Sequence, residues 1–383
     1  MPFTAIGRSA ETGLPPLMSE AANRPAGQPI RVAFVSDSMP ERNGVGAYYA
    51  DLIAQLDGNG FAPTFVCPGG AASGGFHFPL PGDSTQQVFV PSPREFKRIM
   101  KRLEPQVVVV ATPGPYGMLG VRWARKLGVR LIVGFHTDYA GVTDLYQRSV
   151  LRVFSRGYFR IVDRLMFRYA DYVLANSAQM IEQAESMGAR KVSRIGTLLP
   201  RSVLETSQVP PRATFRQILF AGRLAMEKRL HEVLEAAERL PALRFVIAGD
   251  GPLRAQVEAA AGRLENLDYL GWLTRPALLQ QMDASDALVL PSELESFGNV
   301  ALEAMGRGRI AVVTDTCGIV NWPSLAGHLV VFALETPLWQ VLDDIAQWPD
   351  QRRIALSEGA SRAARDLNRD SLSQWRQLLE PES

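Results

Sequence analysis

Of 383 residues, only two are cysteines, Cys67 and Cys317, and only four are histidines. The two cysteines fall in different predicted domains, so a bridge between them is not expected and the chain reads as one from a reducing cytoplasm. No His/Cys cluster has the spacing of metal ligands and no Asp-x-Asp occurs, so no bound metal is expected. Long hydrophobic runs are missing as well: nothing approaches the roughly 20 apolar residues that span a bilayer. Residues 1–29 have no signal-peptide core, and their Gly, Pro, Ala and Ser content predicts a disordered leader. A full G-x-G-x-x-G is lacking too, which argues against a dinucleotide oxidoreductase.

What is present is ordinary for a globular protein, with 46% apolar and 21% charged residues and length enough for two cores. The net charge of +2 conceals an asymmetry. Residues 1–205 carry 23 Lys+Arg against 16 Asp+Glu, and the remainder carries 18 against 23, so the first half should favour an anionic surface. Strand patterns at 31–36, 63–67, 107–111, 131–135 and 172–175 alternate with helical ones, the first of these helices at about 47–56. After Pro210-Pro211 the alternation restarts at 217–221, 244–248, 267–270, 287–290 and 310–314. This pattern predicts an α/β fold of two Rossmann-like, doubly wound parallel-sheet domains facing across a cleft. The expected divisions are a leader (1–29), a first domain (30–208), a second domain (209–356) and a C-terminal helix (357–383).

The most informative stretch runs from Pro291 to Ala304, PSELESFGNVALEA. A buried strand, a tight loop and a helix start present backbone N–H groups and a positive dipole end to a phosphate. Glu295 lies at the loop mouth and Glu303 eight residues on, placed about two turns into the helix. Two carboxylates beside an anion site suit a ligand with hydroxyls next to its phosphates. The plainer alternative is one dipole partner and one solvated helix glutamate.

The run from Glu295 to Glu303 resembles the E-x7-E signature of retaining glycosyltransferases of family four, two-domain enzymes of the GT-B type. Gly222-Arg223-Leu224 with Lys228, Gly249-Asp250-Gly251-Pro252, Gly271, and Ala284-Ser285-Asp286 before Pro291-Ser292 follow in that family's order. The resemblance spans roughly residues 31–308. It implies that Glu303 holds the ribose, Glu295 the donor-sugar hydroxyls, and Arg223 and Lys228 the diphosphate, with Gly251, Ser296, Phe297, Gly298, Asn299 and Val300 completing the donor site. Gly44, in Asn43-Gly44-Val45-Gly46, is similar to the family's first glycine loop and is assigned to the diphosphate. His136, in His136-Thr137-Asp138, is similar to its active-site histidine. The implied reaction is a metal-independent retaining transfer in which the acceptor attacks on the leaving-group side. The nucleotide-sugar is a co-substrate, and no separate cofactor is expected.

Arg148, Arg152, Arg156, Arg160, Arg164 and Arg168 recur every fourth residue, interleaved with apolar positions. Like charges at this spacing weaken an isolated helix, and Gly157 could break the segment in two. Residues 94–102, from Arg94 to Arg102, form a second basic amphipathic patch. One reading docks both on anionic lipid at the inner face of a membrane. The other leaves them solvated or paired with the acidic second domain. Nucleic acid is not expected, since no reader module is present.

Two segments depart from the family pattern: Thr197-Leu198-Leu199-Pro200 after Gly196, and residues 315–323 after Thr314, which put the hinge contacts and the C-terminal part in question. The reading is transfer of a hexose from a UDP- or GDP-sugar to a hydroxyl on a lipid or lipid-linked glycan. A nucleotide-sugar hydrolase or epimerase of the same fold, and a catalytically silent membrane scaffold, are the rivals.

Overall fold

A computed structural model describes residues 28–40, 44–69, 76–80, 83–136, 150–210 and 215–380, with the backbone alone for 78–80, 83–87 and 150–156. The leader through residue 27, together with Asn43, Thr137, Asp138, Arg148 and Pro211, lies outside the described residues.

The first lobe is a six-stranded sheet ordered β2-β1-β5-β6-β7-β8. Its strands are β1 (Ile30–Val35), β2 (Phe61–Val66), β5 (Val107–Val110), β6 (Arg130–Phe135), β7 (Tyr172–Ala175) and β8 (Val192–Arg194), all paired in parallel. A short antiparallel hairpin, β3 (His77–Leu80) with β4 (Asp83–Phe89), lies apart from it. The second lobe repeats the plan in the order β11-β10-β9-β12-β13-β14. Here the strands are β9 (Gln217–Ala221), β10 (Arg244–Ala248), β11 (Leu267–Gly271), β12 (Ala287–Leu290), β13 (Ile310–Thr314) and β14 (Val330–Phe332). Runs such as VVVV and IAVVT are buried at every position. Strands covered by helices on both faces read this way, without alternation.

In the first lobe, helices α2 (Pro93–Leu103), α3 (Pro115–Leu127) and α4 (Val150–Tyr169) cover one face of the sheet. Helix α1 (Gly44–Leu56) covers the other, together with the end of the last helix. Gly157 does not break α4, which is a single helix from Val150 to Tyr169. A mid-helix glycine costs about 1 kcal/mol against alanine, and burial of Val162, Met166 and Phe167 outweighs that.

The second lobe adds α7 (Leu230–Arg239), α8 (Arg254–Ala261), α9 (Arg275–Ala284), α10 (Asn299–Gly306), the short α11 (Pro323–Ala326) and α12 (Leu338–Gln347). In the first lobe α5 (Ala178–Ser186) precedes β8, and α6 (Arg201–Glu205) begins the crossing between lobes. The last helix, α13, runs from Asp350 to Leu379, so it starts seven residues before the expected Ser357. Its first half packs on α10, and its end buries Trp375 and Leu379 in the core of the first lobe. The part in question after Thr314 is built: Cys317 and Ile319 are buried, and β14, α11 and α12 follow.

Candidate functional site

Each sheet reverses its strand order at one point, and loops diverge there to open a crevice at the carboxyl ends of the strands. In the second lobe that point lies between β9 and β12. The loop after β9 carries Arg223 and Lys228 and the loop after β12 carries Glu295, so residues 67 apart in sequence meet. The Lys228 ammonium makes a short ion pair with Glu295 Oε2. Burial alone would lower the Lys228 pKa, yet it stands above its ordinary value because Glu295, with Glu227 behind it, outweighs desolvation. Arg223 Nη2 is 2.7 Å from Glu227 Oε1, and the two loops are joined by Glu293 N–H donating to Glu227 O at 2.8 Å.

The β12–α10 loop is fixed from below. Thr314 Oγ1 and Thr316 Oγ1 both donate to Ser292 O, at 2.6 and 2.8 Å, and Gly318 N–H donates to Glu295 O at 2.9 Å. Gly298 adopts φ +98°, and a Cβ there would lie 2.9 Å from Cys317 Sγ, so both conformation and space demand glycine. Among the described residues no side chain caps α10, so its first N–H groups are not taken up by a capping side chain.

Of the residues assigned to this segment, Ser296, Asn299 and Val300 are half-buried. Phe297 is 2% exposed and packs edge-on against Trp322 at 6.0 Å, so its ring belongs to the core and its backbone is what it offers the loop. Glu303 is the fifth residue of α10, one turn into the helix rather than two, because the helix starts at Asn299. Burial raises its pKa to about 7, with Arg275 opposing and Asp51 adding to the rise. Gly251 lies on the next loop, after β10, where a Cβ would come within 2.6 Å of Leu224 O.

The first lobe contributes from its own reversal between β1 and β5. Gly44 opens α1 opposite α10, and Asn299 Nδ2 reaches Gly44 O at 3.5 Å. Asp37, after β1, accepts from Thr112 Oγ1 at 2.7 Å and from the N–H groups of Gly114, Tyr116 and Gly117 at 3.0, 2.7 and 3.2 Å. The start of α3 is therefore filled by the chain's own carboxylate, whose pKa burial raises to about 6 against these bonds. His136 follows β6. Its Nε2 is 2.8 Å from Tyr49 Oη, and burial lowers its pKa to about 4, so it is neutral at pH 7.

Sequence reading missed the contacts that join the lobes. Arg275 Nη1, on α9, lies 2.5 Å from Asp51 Oδ1, on α1, and both act electrostatically on Glu303. Trp322 Nε1 donates to Asn176 O at 2.9 Å, while Arg194 stacks on the Trp322 ring at 4.2 Å. Neither Asp51 nor Arg275 belongs to a recognisable motif, and only their proximity reveals them.

The basic segments of the first lobe share one face, because α2, α3 and α4 pack into the same core. Arg94, Lys97, Arg98, Lys101 and Arg102 are exposed on α2, and Arg160, Arg164 and Arg168 on α4. Among the described residues none of these joins an ion pair to the second lobe. Exposed Tyr158 (52%), Ile161 (70%) and Leu165 (37%) lie between the arginines of α4. No helix among the described residues is long and apolar enough to cross a membrane.

Two family models match the chain: Glycosyltransferase Family 4 over residues 42–197 and Glycosyl transferases group 1 over residues 205–322. A GDP-mannose-dependent alpha-mannosyltransferase of Mycolicibacterium smegmatis is 30% identical over 315 residues, covering 76% of this chain and 80% of that one. Among solved structures, a sucrose-phosphate synthase from Thermosynechococcus elongatus superposes with a TM-score of 0.67 at 15% identity, over 92% of this chain and 98% of that one. Anabaena HepE, in complex with UDP and glucose, gives 0.65 at 16% identity, over 91% and 99%. At these identities the two structures establish the fold alone.

Proposed function

Since the chain belongs to glycosyltransferase family 4 and has the GT-B architecture of that family, we propose that it moves a hexose, with retention, from a UDP- or GDP-sugar to a hydroxyl of a membrane lipid or lipid-linked glycan. The observation that carries the reading is the Lys228–Glu295 pair at the reversal point of the second sheet. It sets a cation for phosphate and a carboxylate for sugar hydroxyls side by side, next to the uncapped start of α10.

In this reading the diphosphate lies between Arg223, Lys228 and the first turn of α10, so fixed positive charge meets the charge that develops on the leaving nucleotide. Glu303 takes the ribose hydroxyls and Glu295 those of the sugar. Gly44 approaches the diphosphate from the first lobe. The acceptor hydroxyl attacks on the face the nucleotide leaves, and its proton passes to the departing phosphate oxygen. Positive charge from the protein makes the transfer metal-independent. The named activity of the mycobacterial relative makes GDP-mannose the first donor to try.

The face formed by α2, α3 and α4 supports peripheral attachment to the cytoplasmic side of a membrane, with α4 offering exposed apolar groups between its arginines. The lipid acceptor is then delivered beside the cleft.

Calorimetry with UDP, GDP and ADP, followed by donor turnover with and without a lipid extract, tests the proposal. Tight binding of UDP or GDP and acceptor-dependent release of it support transfer. Release at the same rate without acceptor points to hydrolysis, and absence of nucleotide binding removes the reading.

A further inference from the structure

Tyr49 and His136 sit in a nest of rings. The Tyr49 ring lies 5.0 Å from Tyr48, 5.9 Å from Phe34, 6.1 Å from Trp375 and 5.4 Å from His136, centroid to centroid. Trp375 Nε1 donates to the Tyr48 hydroxyl at 2.6 Å, which fixes the nest from the side of α13. A Cβ at Gly134 would lie 2.1 Å from the Tyr49 hydroxyl and 2.6 Å from His136 Nε2. Glycine at that position therefore leaves room for this hydrogen bond.

The bond has a direction. Tyr49 is fully buried, and among the described residues its hydroxyl has one partner, His136 Nε2 at 2.8 Å. Were Nε2 to donate, the Tyr49 O–H would find no acceptor among the described residues within its nest of rings, at a cost of about 1–3 kcal/mol. The phenol accordingly donates and Nε2 accepts. A neutral imidazole that accepts at one nitrogen carries its proton at the other, and Nδ1 makes no hydrogen bond to a described residue.

We infer that Tyr49 is a positioning residue that locks His136 in its Nδ1–H tautomer, so that the imidazole meets the donor sugar as a hydrogen-bond donor and not as a proton acceptor. The inference rests on the site reading above for the identity of the ligand alone; the tautomer follows from the hydrogen bond itself. It removes His136 as the base that deprotonates the acceptor and leaves that proton to the departing phosphate. Among the described residues, the ionisable groups around the ring are Tyr48 and Tyr49 from α1 and Asp163 from α4, which lines the same small cavity.

Nitrogen-15 NMR of histidine-labelled protein tests the inference without turnover. With four histidines in the chain, the His136→Asn spectrum assigns the signals. The expected result is a single Nδ1–H tautomer at position 136 that stays neutral from pH 8 to below 5. In Tyr49→Phe the tautomer lock is lost and Nε2–H signal appears. With the identified donor, kcat of this variant falls about tenfold, the equivalent of one hydrogen bond, at unchanged donor KM. An Nε2–H tautomer in the native protein overturns the inference, as does an unchanged tautomer in Tyr49→Phe. If the NMR holds but no nucleotide-sugar is turned over, the functional reading fails and the tautomer assignment stands.

Discussion

Asp51 and Arg275 meet across the cleft at 2.5 Å, one from each lobe. The sign of this pair runs against the charge asymmetry of the sequence, because the acid comes from the basic half and the base from the acidic half. Both groups also bear on Glu303, so the ion pair that joins the lobes is electrically coupled to the residue proposed to hold ribose.

Changing either partner should move the pH dependence of nucleotide binding, in opposite directions. Asp51→Asn removes a like charge and lowers the Glu303 pKa, whereas Arg275→Met removes an opposite charge and raises it. Binding of UDP or GDP, measured by calorimetry from pH 5.5 to 8.5, should therefore gain strength at lower pH in the first variant and at higher pH in the second. Shifts of one sign in both would contradict the arrangement.

Glu303 also makes stability depend on pH. Its folded pKa, about 7, lies above the ordinary 4.5, so the folded state holds the proton more tightly. That stabilisation is complete below about pH 4.5 and is lost as pH rises through 7. Glu303→Gln removes the dependence. The native protein should lose on the order of 3 kcal/mol relative to this variant between pH 4.5 and 8, as read from urea unfolding without ligand.

Lys228 and Glu295 should behave as a unit. Lys228→Met and Glu295→Gln are each expected to lower kcat/KM by about 10²–10³-fold. The double variant should fall by much less than the product, a coupling of roughly 1–3 kcal/mol in a kinetic cycle. Full additivity would separate the two residues functionally.

Reversing the charge of Arg160, Arg164 and Arg168 together should abolish co-sedimentation with anionic vesicles, each arginine being worth about 1 kcal/mol near such a surface. Nucleotide-induced thermal stabilisation should not change. Vesicle binding that ignores both lipid charge and salt would exclude the proposed attachment.

The second sheet was legible because its strands are short buried runs closed by Gly, Pro and Ser: 217–221, 244–248, 287–290 and 310–314 fall where the alternation placed them. Strands β8 and β14, three residues each, are too short to carry a period, and β3 and β4 form an antiparallel excursion outside it. The helix through Gly157 shows tertiary burial overriding a local breaker. Glu295 and Lys228 could be named from motifs, but that they touch depends on the strand order, which no local pattern encodes. Asp51, Arg275 and Tyr49 lie on ordinary amphipathic helices; the first two carry no signal until the lobes are brought together, and Tyr49 none until α1 packs beside the end of β6.

The chain passes between the lobes twice, near Leu199 and along α13, and Asn368 binds the two passages together. Its Oδ1 accepts from Leu199 N–H at 2.9 Å and its Nδ2 donates to Gln55 Oε1 at 3.2 Å, while Gln55 Nε2 donates to Leu199 O at 2.8 Å. A single strand of chain would let one lobe swivel freely, whereas two strands fastened at a common knot restrict it to a door-like swing about that knot.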